Sequence, residues 1–191
     1  MSDWKHLLKR YVATFERLDD MSADELLNPI GWMLAVGESD PYGFKQWQAT
    51  EISTPDSCLQ KLYAKLPGPF PPLFERLVLS YRWAEVDLHS YRLLANPPGQ
   101  GLDGLLDQMS RDSGLWDALL PAGYLQFGRG PDIDYDPVCF DLGSKNKVGD
   151  CRIVKIDHEE ILCNYRVKVI SELAPSFEDL VLQTIELGER V

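Results

Sequence analysis

The chain has 191 residues, with 30 acidic against 19 basic side chains and a net charge of −11 when the three histidines are neutral. Hydrophobic residues make up 45% and charged ones 26%, a globular profile that excludes a disordered chain, a disulfide-stapled miniprotein and a collagen-like or repeat array. The acidity argues against nucleic acid as a partner, since gripping phosphates takes a basic face. No apolar run approaches the ~18 residues of a membrane helix, and residues 1–6 lack the apolar core of a signal peptide, so a cytoplasmic protein with no membrane contact is expected.

Trp4, Leu7, Leu8, Tyr11, Val12, Phe15 and Leu18 recur at spacings of three and four, one face of an amphipathic helix with Ser2 or Asp3 as its N-cap. Ser22-Ala23-Asp24-Glu25 reads as a capping box opening a short helix that Pro29 stops, and residues 31–52 give a mixed signal. Thr54-Pro55-Asp56 starts a helix lined by Leu59, Leu62, Tyr63 and Leu66, and after the Pro67–Pro72 break a helix runs from Leu73 to Ser80. Residues 81–88 alternate like a strand, residues 91–94 like a second, and helices follow around 102–109 and 115–120.

After Gly123 the period changes to two. Residues 124–127, 138–142, 152–156 and 165–169 read as four strands, and the short turns between most of them predict antiparallel neighbours. A last helix is expected from Ser176, its N-cap, with Phe177, Leu180, Val181, Thr184 and Ile185 on its apolar side. The predicted fold is α+β: a largely antiparallel sheet, made of the C-terminal four-strand meander plus one or two strands near 81–94, packed against helices. A single domain over 1–191 is expected, with residues 1–60 as a helical N-terminal extension.

Asp132-Ile133-Asp134-Tyr135-Asp136 resembles the start of a calcium loop, but Pro137 and Gly143 stand where the sharp turn and the bidentate ligand require glycine and glutamate. Gly123 to Gly130 has the glycine spacing of a phosphate loop but places Arg129 and Gly130 where lysine and a hydroxyl residue are needed. Asp157-His158-Glu159-Glu160 gathers carboxylates around a histidine, which a hydrolase could use for acid-base work, yet no second histidine stands near in sequence; a turn at a strand end is the favoured reading. Cys58, Cys139, Cys151 and Cys163 include no Cys-x-x-Cys pair and read as buried thiols rather than metal ligands. No metal, cofactor or catalytic set is expected.

Charge is more informative. Residues 101–160 hold 12 acidic and 6 basic side chains, more than half of the net charge in under a third of the chain. Such a field speeds encounter with a basic protein and repels polyanions. On a strand, Trp83, Glu85 and Asp87 share one face, a mixed aromatic and acidic surface that suits protein recognition.

Leu66-Pro67 before a helix ending near Tyr81, the Gly123–Gly128 strand, an acidic loop leading into Val138-Cys139-Phe140-Asp141, then Asp157-His158-Glu159, and finally Ala174-Pro175-Ser176-Phe177-Glu178-Asp179-Leu180 follow one another in an order that resembles the SUKH superfamily of bacterial immunity proteins and fungal cell-wall-synthesis regulators. The resemblance covers about residues 66–186. It implies a non-catalytic α+β module that binds another protein, commonly a toxin such as a nuclease. The expected partner-binding residues are Asp132, Asp134 and Asp136 with Glu85 and Asp87, and Tyr135 or Trp83 as the aromatic anchor. The alternatives are an endogenous regulator or scaffold of the same fold, and a hydrolase centred on Asp157, His158 and Glu159.

Overall fold

Asp3 opens the first helix: its carboxylate accepts the amides of Lys5 and His6, as an N-cap should. The computed structural model describes residues 3–191, so the alternative cap, Ser2, lies outside the described residues. Helix α1 (Trp4–Ala13) and the one-turn α2 (Phe15–Leu18) bury Leu7, Leu8, Tyr11 and Phe15. A small antiparallel sheet follows, ordered β1 (Ser22–Ala23), β3 (Lys45–Trp47), β2 (Ala35–Val36), with α3 (Pro29–Met33) inserted between β1 and β2. Strand β4 (Thr50–Glu51), α4 (Ser57–Tyr63) and α5 (Pro72–Ser80) lead to β5 (Tyr81–Arg82), which pairs with β4.

The remaining strands form one antiparallel sheet. β6 (Val86–Asp87) and β7 (Arg92–Leu93) precede α6 (Asp103–Met109) and α7 (Ser113–Leu119); then come β8 (Tyr124–Arg129), β9 (Pro137–Asp141), β10 (Ile153–Ile156), α8 (His158–Asn164), β11 (Val169–Ala174) and α9 (Phe177–Gly188). Spatial order is β11-β10-β9-β8-β7-β6, so β8 to β11 form the expected antiparallel meander, with α8 inserted before β11 and with α6 and α7 in the connection from β7 to β8. The fold is therefore α+β, as predicted.

Helices cover both faces of this sheet. Leu125, Phe127, Phe140 and Ile153 join the main core with residues of α1, α5 and α9, while Cys139, Val154 and Ile156 pack against Leu115 and Leu119 of α7 and Ile161 of α8. With both sides occupied, every residue of β9 is buried, so that strand reads as a continuous apolar run. One sheet edge is closed, because Asp19 accepts the Asp87 amide at 2.7 Å. The other edge, β11, is solvent-exposed over its first four residues and carries two register shifts and a flanking lysine, Lys168, features that discourage edge-to-edge pairing.

Several local expectations change. Residues 22–25 do not open a helix: Ser22 and Ala23 form β1, Asp24 caps a turn through the amides of Leu26 and Leu27, and Pro29 starts α3 behind the Asn28 cap instead of stopping a helix. Residues 1–60 are thus not purely helical. The run 81–88 is two strands, since β5 pairs with β4 whereas β6 pairs with β7. The fourth meander strand lies at Val169–Ala174, not at 165–169. Residues 165–168 belong to no helix or strand; Asp157 caps α8 where a turn was expected, and Tyr165 ends that helix in the left-handed conformation, φ 53°. Cys139 and Cys151 are buried as expected, but Cys163 is exposed on α8 and Cys58 half-buried. Among the described residues no helix is long and apolar enough to cross a membrane.

Candidate functional site

The acidic loop between β8 and β9 closes on itself. Gly130 donates its amide to Asp136 O at 2.9 Å, Asp134 to Pro131 O at 2.9 Å, and Asp136 to Asp134 Oδ1 at 2.9 Å. Asp132 holds the tip with φ 53°, a left-handed position that aspartate tolerates. Glycine is required at 130, because a Cβ there would collide with the Asp134 side chain. The loop is anchored to the β6–β7 hairpin where the Asp132 amide meets Asp87 Oδ2 at 3.3 Å.

Six of the seven expected residues are thereby brought together. Trp83 is the exception: it is fully buried, its indole N–H donates to Leu94 O at 2.9 Å, and its backbone bridges Asn96. An indole this deep in the core cannot be an aromatic anchor for a partner, so Trp83 is removed from the site. It also shares no solvent face with Glu85 and Asp87, because the chain leaves β5 before reaching them.

The expectation of a free anionic face is also altered. Glu85 pairs with Arg129 at 2.6 Å and with Arg92 at 3.7 Å; Asp87 pairs with Arg92 at 2.9 Å. Asp134 is bonded to the Lys155 ammonium, and Asp136 lies 3.8 Å from the same group. Asp136 Oδ1 also accepts the amide of His158 at 3.0 Å and lies 2.7 Å from its Nδ1. These four carboxylates are only 17 to 30% exposed. Among the five acidic residues, Asp132 is exposed and makes no side-chain hydrogen bond or ion pair among the described residues. Five carboxylates against Arg92, Arg129 and Lys155 leave a modest negative balance held in a rigid network.

Two side chains stand clear of that network. Tyr135 is 59% exposed, with the Arg129 guanidinium 5.5 Å from its ring centroid and the His158 ring edge-on at 6.3 Å. Ile133, beside it, is 85% exposed. An aromatic ring clamped on both sides and an open aliphatic residue, surrounded by paired charges, form a preorganised contact surface.

Burial alone would raise the Asp134 carboxyl, but the Lys155 hydrogen bond and the Asp136 amide outweigh it and hold the group below its ordinary value. Asp87 behaves likewise: burial opposes, and Arg92 with the amides of Asp132 and His89 prevails. Both carboxyls bind protons more weakly in the folded chain, so the stability they contribute is complete above the ordinary carboxyl value of 3.8 and is lost as pH falls below it. A 13C-carboxyl NMR titration should therefore place the Asp134 midpoint below that value, and Lys155→Met should raise it. An unmoved midpoint would remove Lys155 from this role.

The Asp157-His158-Glu159 group is divided. Asp157 accepts the Glu160 amide at 3.0 Å and pairs with Lys168 at 3.3 Å, Glu159 is exposed, and the His158 ring turns to Asp136. The ring hydrogen-bonds no serine, threonine or cysteine among the described residues. A cleft of about 600 Å³ lies elsewhere, between α1 and the β4–β5 pair, and mixes Lys5, His6, Lys9 and Arg76 with Asp3, Glu51 and Asp56. What sequence reading missed were the cations: Arg92, Arg129 and Lys155 come from three strands, and only the fold shows that they face the loop. Comparison with protein-family models, curated proteins and solved structures finds no match to this chain.

Proposed function

We propose that the chain is a non-catalytic protein-binding module of the immunity type, working in the cytoplasm. In this reading it holds a basic protein toxin, such as a nuclease, against the surface of Asp132, Asp134, Tyr135, Asp136, Glu85 and Asp87. One observation carries the reading: acidic residues from two distant segments converge around an exposed, clamped tyrosine. The resemblance to the SUKH superfamily over about residues 66–186 supports it, as does the helix–meander–helix order of α5, β8 to β11 and α9. Four free thiols suit a reducing compartment.

The ion pairs change what the surface does. A partner cation has to compete with Lys155 and Arg129 for the inner carboxylates, so specificity arises from shape and from Tyr135, and the net charge of the whole chain steers the encounter. The test is affinity capture from the source cells with the wild-type chain and with Tyr135→Ala, followed by co-expression of the captured protein. The wild type should retain a basic protein and protect cells from it, whereas Tyr135→Ala should do neither. A captured partner that is acidic, or one retained equally by Tyr135→Ala, would overturn the reading.

A further inference from the structure

A second surface differs from the loop in kind. Residues 19–45 hold six carboxylates, Asp19, Asp20, Asp24, Glu25, Glu38 and Asp40, and one lysine. None of the six forms an ion pair among the described residues. Lys45 is turned away from them, its ammonium 4.5 Å from the ring centroid of Trp32.

The strand register explains the arrangement. In the β1-β3-β2 sheet, Ala23 is opposite Lys45 and Ala35 opposite Trp47, and this face packs on α3 and the core, with Ala23 and Trp47 buried. Ser22, Gln46 and Val36 are opposite one another on the other face, which no element covers among the described residues. Beyond the short strands the chain turns at Met21 (φ 55°) and Gly37 (φ 75°), and Asp20, Glu38 and Phe44 come to line one cleft with Ser22 and Gln46. Val36 is 44% exposed and Phe44 39%, and a shallow cleft of about 500 Å³ is lined by Asp20, Glu38, Asp40, Phe44 and Gln46. Asp20 and Ser22 also line a neighbouring cleft, of about 470 Å³, in which Arg92, Arg111 and Arg129 face Asp19, Asp20 and Glu85, so a charge-balanced stretch separates this surface from the loop.

We propose that this open sheet face is a docking surface for a basic protein segment that combines arginine or lysine with an apolar side chain. The apolar group covers Val36 and Phe44, and the cation lies among Asp20, Glu38 and Asp40, where the Phe44 ring adds attraction. Charge excludes the other occupants: a second copy of this face and an anionic membrane are both repelled by it. The site stands independently of the loop.

The test is an NMR titration of the labelled full chain with a short peptide of alternating arginine and valine. Alternating arginine–serine and glutamate–valine peptides serve as comparisons. The arginine–valine peptide should shift the amides of Asp20, Ser22, Val36, Glu38, Phe44 and Gln46, the arginine–serine peptide should bind more weakly, and the glutamate–valine peptide should not bind. Glu38→Lys, at an exposed position without a hydrogen-bonded partner, should weaken the peptide about tenfold, a loss of roughly 1.4 kcal/mol. Tyr135→Ala should leave the titration unchanged. Shifts spread over all acidic surfaces, no shifts at all, insensitivity to Glu38→Lys, equal binding of the serine peptide, or a loss with Tyr135→Ala would each overturn the proposal.

Discussion

Phe127→Ala should lower the stability of the fold by about 3–5 kcal/mol, the upper range for truncating a buried aromatic residue. Phe127 is fully buried and stacks on Phe140 with centroids 4.1 Å apart and planes 15° apart. Phe74 and Phe177 approach it at 5.7 and 5.8 Å, and Tyr91 at 6.2 Å. These rings come from α5, β9, α9 and the start of the β7 hairpin arm, and the three phenylalanines also contact one another: Phe74 lies 5.0 Å from Phe140 and 5.2 Å from Phe177, and Phe140 lies 5.7 Å from Phe177. Neighbours fixed in this way cannot collapse into the space left, so the cavity penalty adds to the lost transfer energy. Phe127→Leu, which keeps most of the volume, should cost less than half as much. Urea unfolding at constant m-value measures both; a loss under about 1 kcal/mol for the alanine variant would mean that the cluster relaxes freely. The effect also reaches the site, since two residues later the same strand delivers Arg129 to Glu85 and to the Tyr135 ring.

The parts of this fold that depend on local chemistry were legible in the sequence. Ser176 caps α9, accepting the Asp179 amide at 3.0 Å while its hydroxyl donates to the Asp179 carboxylate, and the period-two runs at β8, β9 and β10 appear where expected. The parts that depend on distant pairing were not. Tyr81 to Leu88 alternates without a break, but Thr50 and Glu51 claim its first two residues for another sheet, and the Trp83 indole turns inward to Leu94 O. Residues 165–169 have strand-like alternation, yet the Asp157 cap, with Glu159 and Glu160 in the first turn, starts a helix that occupies the space before β11. The same distinction governs the candidate site. Three aspartates within five residues are obvious in the chain, whereas the bonds from Lys155, Arg92 and His158 that tie up their neighbourhood join residues 5 to 22 positions apart in sequence. An acidic run therefore announced charge without revealing its neutralisation.

Tyr135→Ala should weaken the partner complex by about 2–4 kcal/mol, roughly 30- to 700-fold in Kd, with little change in the stability of the free chain. The ring is largely exposed, so removing it opens no core cavity, yet Arg129 and His158 fix its orientation before any partner arrives, so little freedom is lost on binding. That combination characterises an interface anchor, and the loss should appear in the dissociation rate. Asp132→Asn should act differently, slowing association at low salt by a few-fold and leaving dissociation nearly untouched, because its exposed carboxylate contributes to the field rather than to a buried contact. Asp134→Asn should resemble neither: it removes the Lys155 partner, loosens the loop and affects both rates. Surface plasmon resonance with the captured partner at two salt concentrations separates the three. If the order is reversed, with Asp132 dominating dissociation and Tyr135 silent, recognition is electrostatic at heart and the clamped ring is only the end of the loop.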